Sequence, residues 1–147
     1  MAEDVQGRAQ KLLEQQNVLE SNAEAVQQQL EILGALLTNY RNGLAVLEEL
    51  EKKQGAEEIL ISIGGNAFVQ AQLANPGEVT REIGNGIRIT QGLQDTKKDL
   101  GEVIASLEQQ YSQFAKEYRN ILLQAASVNA QLQELAQKQA QEEQKGV

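Results

Sequence analysis

Few side chains in this sequence could carry acid–base or nucleophilic chemistry. Adjacent glutamates occur at 48–49, 57–58 and 142–143, but neighbouring residues of a helix point to different faces and do not converge on one substrate. There is no histidine and no cysteine, so the commonest general base, the commonest metal ligand and the thiolate nucleophile are all missing. The serines therefore have no base to activate them. The sequence predicts a protein that is not an enzyme and that uses no metal or cofactor.

The segment Gly84-Asn85-Gly86 has some likeness to a phosphate-binding loop. A dinucleotide fingerprint needs a third glycine and a helix that starts at the end of the strand. Here the chain continues as Ile87-Arg88-Ile89-Thr90, and its alternation of apolar and polar residues is typical of a strand. Asn-Gly strongly favours a two-residue type I′ hairpin turn, because both central residues need a positive φ. We therefore interpret the segment as a hairpin turn.

This turn belongs to the one β-like stretch of the sequence, from Ile59 to Thr90. Apolar and polar residues alternate along it, which predicts strands with one covered face. The same alternation puts Arg81 on the face of Val79 and Ile83. Turn signals divide the stretch into two successive hairpins; they are Gly64-Gly65-Asn66, Asn75-Pro76-Gly77 and Asn85-Gly86. Because so small a sheet cannot bury an apolar face alone, we expect it to need a partner.

Two long segments with helical periodicity flank the hairpins. In each of them apolar residues recur every seven positions, and a second series lies three residues before most members of the first, which indicates a coiled-coil seam. The first seam consists of Val5, Leu12, Leu19, Val26, Leu33, Tyr40 and Leu47 with Ala9, Gln16, Ala23, Leu30, Leu37 and Leu44. The second consists of Leu93, Leu100, Leu107, Phe114, Ile121, Val128 and Leu135 with Ile104, Tyr111, Tyr118, Ala125 and Leu132.

These segments predict an α+β fold that is mostly α: a long antiparallel coiled coil whose helices are joined by the two hairpins. Pairing Leu47 with Leu93 and Tyr40 with Leu100 keeps the layers apolar, although the phase of the layers does not follow from the sequence. Gly55, after two lysines, is the expected end of the first helix. We expect one domain over residues 1–147, with helices at about 3–55 and 93–145 and a hairpin module at 58–91.

Composition excludes several classes of partner. The net charge is −8, and the chain lacks the clusters of lysine and arginine that bind nucleic acid or an anionic membrane surface. No run approaches the roughly 20 apolar residues of a membrane helix. The polar N-terminal segment has no signal-peptide core. We therefore expect a cytoplasmic protein with neither nucleic acid nor a membrane as its partner.

The end of the coiled coil that holds both termini is a candidate binding surface. The second seam continues through Val128, Leu132 and Leu135, but only small or widely spaced apolar residues of the first helix lie opposite. This mismatch predicts partly exposed apolar surface; alternatively, the stripe is simply the end of the seam. Leu13, Ile32, Leu36 and Leu50 lie off the seam; they either belong to a slightly wider apolar stripe at the surface or contact another molecule.

The chain resembles the alpha class of the prefoldin family, in particular its archaeal type. By architecture the resemblance covers the whole chain, and by motif it covers about residues 58 to 92. The motifs are Ile61-Ser62-Ile63-Gly64, Ala67-Phe68-Val69-Gln70-Ala71, Val79 and Ile83-Gly84-Asn85-Gly86-Ile87. Two hairpins instead of one are what separates alpha-type from beta-type subunits.

The resemblance implies an ATP-independent chaperone subunit. Its hairpins would assemble with beta-type prefoldin subunits into a hexamer of two alpha-type and four beta-type chains. The coiled-coil tips would hold unfolded client proteins and deliver them to a group II chaperonin. The expected assembly residues are Ile59, Ile61, Ile63, Phe68, Val69, Ala71, Leu73, Val79, Ile83, Ile87 and Ile89. The expected client-binding residues are Val5, Leu12, Leu13, Val128, Leu132 and Leu135.

Two alternatives stay open at this point. A prefoldin-like structural protein could use the same sheet edges to assemble with itself into homo-oligomers or filaments. A coiled-coil spacer in a larger assembly is the more general possibility.

Overall fold

The computed structural model describes residues 2–53 and 58–146 of the chain. In this range one long helix precedes two β-hairpins and a second long helix follows them, so the predicted fold class is confirmed. The helices are α1, Ala2–Lys52, and α2, Leu93–Lys145; the strands are β1, Glu58–Gly64, β2, Ala67–Gln72, β3, Glu78–Gly84, and β4, Ile87–Gly92. Gly55, the predicted end of the first helix, lies outside the described residues.

Each hairpin forms its own two-stranded antiparallel sheet, β1 with β2 and β3 with β4. The hairpin turns are Gly65-Asn66 and Asn85-Gly86, and all four residues have a positive φ, between 51° and 75°. A type I′ turn requires this backbone, and glycine and asparagine adopt it at little cost. The predicted turn at Asn85-Gly86 is therefore confirmed. Just before each turn, at Ser62–Gly64 and Glu82–Gly84, the register shifts by a β-bulge.

The chain comprises two compact units, and each contains a stretch of both helices. The terminal unit consists of Met1–Gly34 and Gln109–Val147, and the hairpin unit consists of Ala35–Glu108. In both units the buried apolar residues occupy predicted seam positions. They are Leu12, Val26, Leu33, Ile121 and Val128 in the terminal unit, and Leu37, Leu47, Leu93 and Ile104 in the hairpin unit. The core of each unit is therefore the helix–helix seam that the seven-residue spacing predicts.

Polar side chains connect the two helices within the seam and beside it. In the terminal unit the Gln16 side-chain amide donates a hydrogen bond of 2.8 Å to Oδ1 of Asn129. In the hairpin unit Arg41 Nη2 lies 2.8 Å from Glu108 Oε1, and Gln94 Nε2 donates to Glu51 Oε1 at 2.8 Å. In this unit Arg41 contacts Glu108, whereas Glu51, which lies later in α1, contacts Gln94, which lies earlier in α2. The helices are therefore antiparallel, as predicted.

The phase of the seam, which the sequence left open, places Leu100 beside both Tyr40 and Gly43. The Cδ1 atom of Leu100 lies 3.9 Å from the position that a Cβ on Gly43 would take. Leu100 also lines one groove together with Tyr40 and Gly43. It therefore packs against the turn of α1 from Tyr40 to Gly43, because the missing side chain of the glycine leaves room there for a leucine.

Candidate assembly and client surfaces

Hairpin 1, formed by β1 and β2, has an apolar face that is exposed near its turn. Ile61 pairs with Val69 and Ile59 with Ala71, so these four side chains share one face of the sheet. Ile61 and Val69 are exposed, and so is Ile63, which the bulge leaves outside the regular pairs. Contiguous exposed apolar surface of this kind marks an interaction site.

The other face of hairpin 1 is mixed, with Glu58, Ser62, Gln70 and Gln72 beside two large apolar side chains. It carries Leu60 and Phe68, which are 65% and 60% exposed and belong to neighbouring strand pairs. Phe68 was among the expected assembly residues, but Leu60 was not, because strict alternation treats its position as polar. The signal was the run Ile59-Leu60-Ile61, in which Leu60 interrupts the alternation of apolar and polar residues.

Hairpin 2, formed by β3 and β4, is apolar on one face only. Its apolar face carries Val79 and Ile89, which are half-buried, and Ile83 and Ile87 near the turn, which are exposed. The opposite face carries polar and charged side chains, namely Glu78, Thr80, Glu82, Arg88 and Thr90. This hairpin therefore offers a single surface to a partner.

The expected assembly residues divide by their distance from the turns. Ile61, Ile63, Phe68, Val69, Ile83 and Ile87 are exposed, and Ile59, Ala71, Leu73, Val79 and Ile89 are half-buried. At the base of hairpin 1, Ile59 and Leu73 line a cavity of about 300 Å³ together with Val46 and Leu50 of α1. The structure thus covers the bases of the hairpins in part and leaves the ends near the turns open.

Arg81 lies on the apolar face of hairpin 2, as the alternation predicts, and its guanidinium is bound by neighbouring polar groups. Arg81 Nη1 lies 3.1 Å from Asp99 Oδ2 and 3.3 Å from Gln91 Oε1. The Gln91 amide also donates to Asp99 Oδ2, at 3.1 Å. Thr96, which is 1% exposed, donates from its hydroxyl to the Gly92 carbonyl at 2.9 Å and contacts Gln91 Oε1 at 3.4 Å.

A second polar group joins the two helices at the end of the coiled coil next to the hairpins. Glu51 Oε2 lies 2.6 Å from Lys97 Nζ, and Glu51 Oε1 accepts the hydrogen bond from Gln94. The hydrogen bond with Lys97, followed by that from Gln94, lowers the pKa of Glu51. The same hydrogen bond to Glu51 raises the pKa of Lys97. Both groups are therefore held in their charged forms in the folded state.

The expected client-binding residues have different environments in the terminal unit. Leu12 and Val128 are 8% exposed each, because both occupy the seam and pack between the helices. Leu13, one residue along, is 50% exposed. Val5, Leu132 and Leu135 are half-buried. Of the expected set, only Leu13 is therefore exposed.

Other apolar residues of the terminal unit are exposed as well, and apart from Ile32, which lies off the predicted seam, they were missed from the sequence. They are Val18, Ile32, Leu122 and Leu123, together with Tyr111, which was placed in the seam but is 39% exposed. Val18 and Ile32 lie two heptads apart on one line outside the seam, and Leu122-Leu123 directly follows the buried Ile121. The separation of Val18 from Ile32 by two heptads was a signal in the sequence. Leu122 and Leu123 could be identified only as leucines that lie outside the seam.

Val18 also lines a groove of about 700 Å³ between the helices of the terminal unit. The groove includes the seam residues Leu19 and Val128, with Lys11 and Glu14 among its polar lining. It is therefore a shallow, mixed surface on which an extended chain could lie.

Within the described residues, 2–53 and 58–146, no cluster of three or more acidic side chains is arranged to hold a metal ion. Neither α1 nor α2 has a stretch that is long and apolar enough to cross a membrane.

Comparison with known proteins gives a consistent result. The family model described as prefoldin subunit matches residues 19–138. The chain is 27% identical to "Prefoldin subunit alpha" of Methanococcoides burtonii over 82% of this chain and 93% of that protein. It is 27% identical to "Prefoldin subunit alpha" of Archaeoglobus fulgidus over 85% of this chain and 89% of that protein.

A solved structure has a similar fold. It is the cryo-EM structure of filamentous PFD from Methanocaldococcus jannaschii, with a TM-score of 0.64 and 17% sequence identity over 80% of this chain and 98% of that one. The matched residues span both helices and both hairpins of the present structure. This chain belongs to the prefoldin family and resembles its alpha subunits.

Proposed function

We propose that this chain is the alpha-type subunit of a prefoldin chaperone that holds unfolded proteins without ATP. The observation that carries the proposal is the exposed apolar surface of the hairpins, in a chain that belongs to the prefoldin family. A subunit built in this way is incomplete until other chains cover its sheets.

Assembly would proceed through both hairpins. Each is a two-stranded sheet, so every strand has one edge with unpaired backbone groups that a partner strand can bind. Partner strands would at the same time cover the face with Ile61 and Val69 on hairpin 1 and the face with Ile83 and Ile87 on hairpin 2. We infer that the partners are beta-type prefoldin subunits, in a hexamer of two alpha-type and four beta-type chains.

Client capture would use the apolar residues of the terminal unit that the seam leaves exposed. Leu13, Val18, Leu122 and Leu123 provide this surface, and the half-buried Val5, Leu132 and Leu135 extend it. Leu12 and Val128 would hold the helices together instead. The contact between one subunit and an unfolded protein would be weak, but several subunits that bind the same unfolded chain would hold it far more tightly. Delivery of the client to a group II chaperonin is part of the same proposal.

The assembly step can be tested by measuring mass in solution, with the chain alone and mixed with a beta-type prefoldin subunit. We expect a small species alone and a complex of hexamer size in the mixture. The double variant Ile61→Thr/Val69→Thr should prevent the complex, and Leu123→Ser should leave it intact because Leu123 lies in the terminal unit. Long fibres of the chain alone would support the self-assembling alternative, and a mixture that never forms a complex would contradict the proposal.

The client-binding step can be tested by comparing substitutions of exposed leucines with a substitution of a buried one. We expect the assembled complex to suppress aggregation of a denatured protein, and the triple variant Leu13→Ser/Leu122→Ser/Leu123→Ser to lose most of this activity while its melting temperature changes little. Leu12→Ala should instead lower the melting temperature, because it opens a cavity in the seam. Full suppression by the triple variant would overturn the assignment of the client surface.

A further inference from the structure

Hairpin 2 has one charged side chain in the middle of its apolar face. Arg81 pairs across the strands with Ile89 and lies between Val79 and the exposed Ile83. An unpaired guanidinium there would be costly to cover with a partner sheet. Its side chain is only 21% exposed, and it is turned toward α2, where it meets Asp99.

Four residues, Arg81, Gln91, Thr96 and Asp99, form what we name the Arg81 cluster. It connects three elements: β3 through Arg81, β4 through Gln91, and the first turns of α2 through Thr96 and Asp99. Asp99 Oδ2 accepts from both Arg81 and Gln91, so one carboxylate oxygen ties both strands to the helix. Hydrogen bonds between charged groups are stronger than neutral ones, particularly when they are partly shielded from water.

The cluster lies beside a junction that has no connecting loop. β4 ends at Gly92 and α2 begins at the next residue, Leu93. Leu93 is buried, and its backbone N–H donates to the Gly77 carbonyl at 2.9 Å. Glycine is conformationally permissive, so the backbone at Gly92 alone does not define the direction in which α2 leaves β4. The hydrogen bond from Leu93 to Gly77 restrains the start of the helix, and side-chain contacts between the hairpin and the helix add further restraints.

We propose that the Arg81 cluster is a positioning device that fixes the angle between hairpin 2 and α2. It holds the apolar face of the hairpin in the orientation in which a partner meets it. Arg81 is thus neutralised inside the subunit, and a partner that covers this face needs no acidic residue opposite it. The angle is a property of the single subunit, and only its consequence for assembly rests on the proposed function.

The angle can be measured by pulsed electron paramagnetic resonance on the full chain. The sequence has no cysteine, so spin labels can be attached at Arg88→Cys on β4 and Ala105→Cys on α2, both at exposed positions. Labelled protein is diluted with unlabelled protein, so that only distances within one chain contribute. With the cluster intact we expect a single narrow distance distribution.

Breaking the cluster should widen that distribution. Asp99→Asn removes the charge with almost no change in shape, and Arg81→Met removes the guanidinium but keeps an apolar stem. We expect each to broaden the distribution about twofold or more, as for an element released from its local contacts. The double variant should be no broader than either single one, because both remove the same interaction.

Glu82→Gln is the matched control, since it removes a charge from the opposite face of β3. It should keep the narrow distribution. Unchanged helical circular dichroism in every variant ensures that the chain is folded. Narrow distributions in both Asp99→Asn and Arg81→Met, or a broad one with the cluster intact, would overturn the proposal. Because the labels report on the isolated subunit, failure of the chain to form a complex with a beta-type subunit would not affect this outcome.

Discussion

Lys97 Nζ lies 2.6 Å from Glu51 Oε2, so an ion pair joins the last turn of α1 to the first turns of α2. Gln94 adds a hydrogen bond to the other oxygen of the same carboxylate. The pair sits where the coiled coil meets the hairpins, and it closes the seam beside the buried Leu47 and Leu93. The pKa of Glu51 is lowered and the pKa of Lys97 is raised. Each shift makes stability depend on pH.

Glu51→Gln should lower the melting temperature at neutral pH and leave it unchanged in acid. The pKa of Glu51 is lowered on folding, so the contribution of the carboxylate is present above the ordinary glutamate range near pH 4 and is lost as the pH falls through the lowered value. The pKa of Lys97 is raised, so its contribution is lost only as the pH rises above about 10. Melting curves at pH 7 and about pH 2 test this, with Glu102→Gln as the control. An equal loss at both pH values would contradict it.

Two glycines should respond to alanine in opposite ways. Gly101 lies inside α2, and a Cβ there would meet no atom within 4 Å, so Gly101→Ala should stabilise the protein by about 1 kcal/mol. Gly86 has a φ of +75° in its turn, and Gly86→Ala should destabilise the protein by about 1–2 kcal/mol. Denaturant midpoints of the two variants measure both effects. A stabilising Gly86→Ala would show that the turn does not hold its left-handed backbone.

Leu37→Ala should be far more destabilising than Leu36→Ala. The two leucines are neighbours in α1, but Leu37 is 5% exposed in the seam and Leu36 is 39% exposed beside it. Removing a buried leucine side chain typically costs about 2–5 kcal/mol, whereas a partly exposed one loses less burial and leaves no closed cavity. Equilibrium unfolding of both variants gives the comparison. Similar losses would mean that the helices pack in a different phase.

Leu60→Thr should weaken assembly about as strongly as Ile61→Thr, although the two side chains lie on opposite faces of β1. Both are exposed in the single subunit, and Leu60 forms an exposed apolar patch with Phe68 on the second face of hairpin 1, which a partner can cover. We expect the dissociation constant of the complex to rise about tenfold or more for each. Titration with a beta-type subunit measures it. If only Ile61→Thr weakens binding, the second face of hairpin 1 stays open in the complex.

The fold could be predicted because its signals are local. Seven-residue spacing identifies the seam residues without knowledge of their partners, and Asn85-Gly86 specifies its own turn through the backbone that it favours. The phase of the seam could not be predicted in this way, because it depends on the fit of Leu100 over Gly43, which lies on the other helix.

The candidate site was harder to predict, because exposure depends on packing between distant segments. Leu12 was expected to bind clients because the apolar residues near it in α1 are small or widely spaced. Its position in the seam, however, implied that it is buried, and it is. The partner of Arg81 is Asp99, 18 residues away on another element, and no periodicity connects them. The alternation of apolar and polar residues predicted which face of hairpin 2 carries Arg81. The Asp99 carboxylate reaches that face because α2 begins directly after β4.

The open hairpins also affect a copy of the subunit that has found no partner in the cell. Such a copy exposes Leu60, Ile63 and Phe68 to solvent, and exposed apolar surface of this kind drives aggregation and attracts proteolytic quality control. We therefore expect the unassembled subunit to be short-lived. Its abundance would follow the rate at which its partners are synthesised, whatever the rate of its own translation.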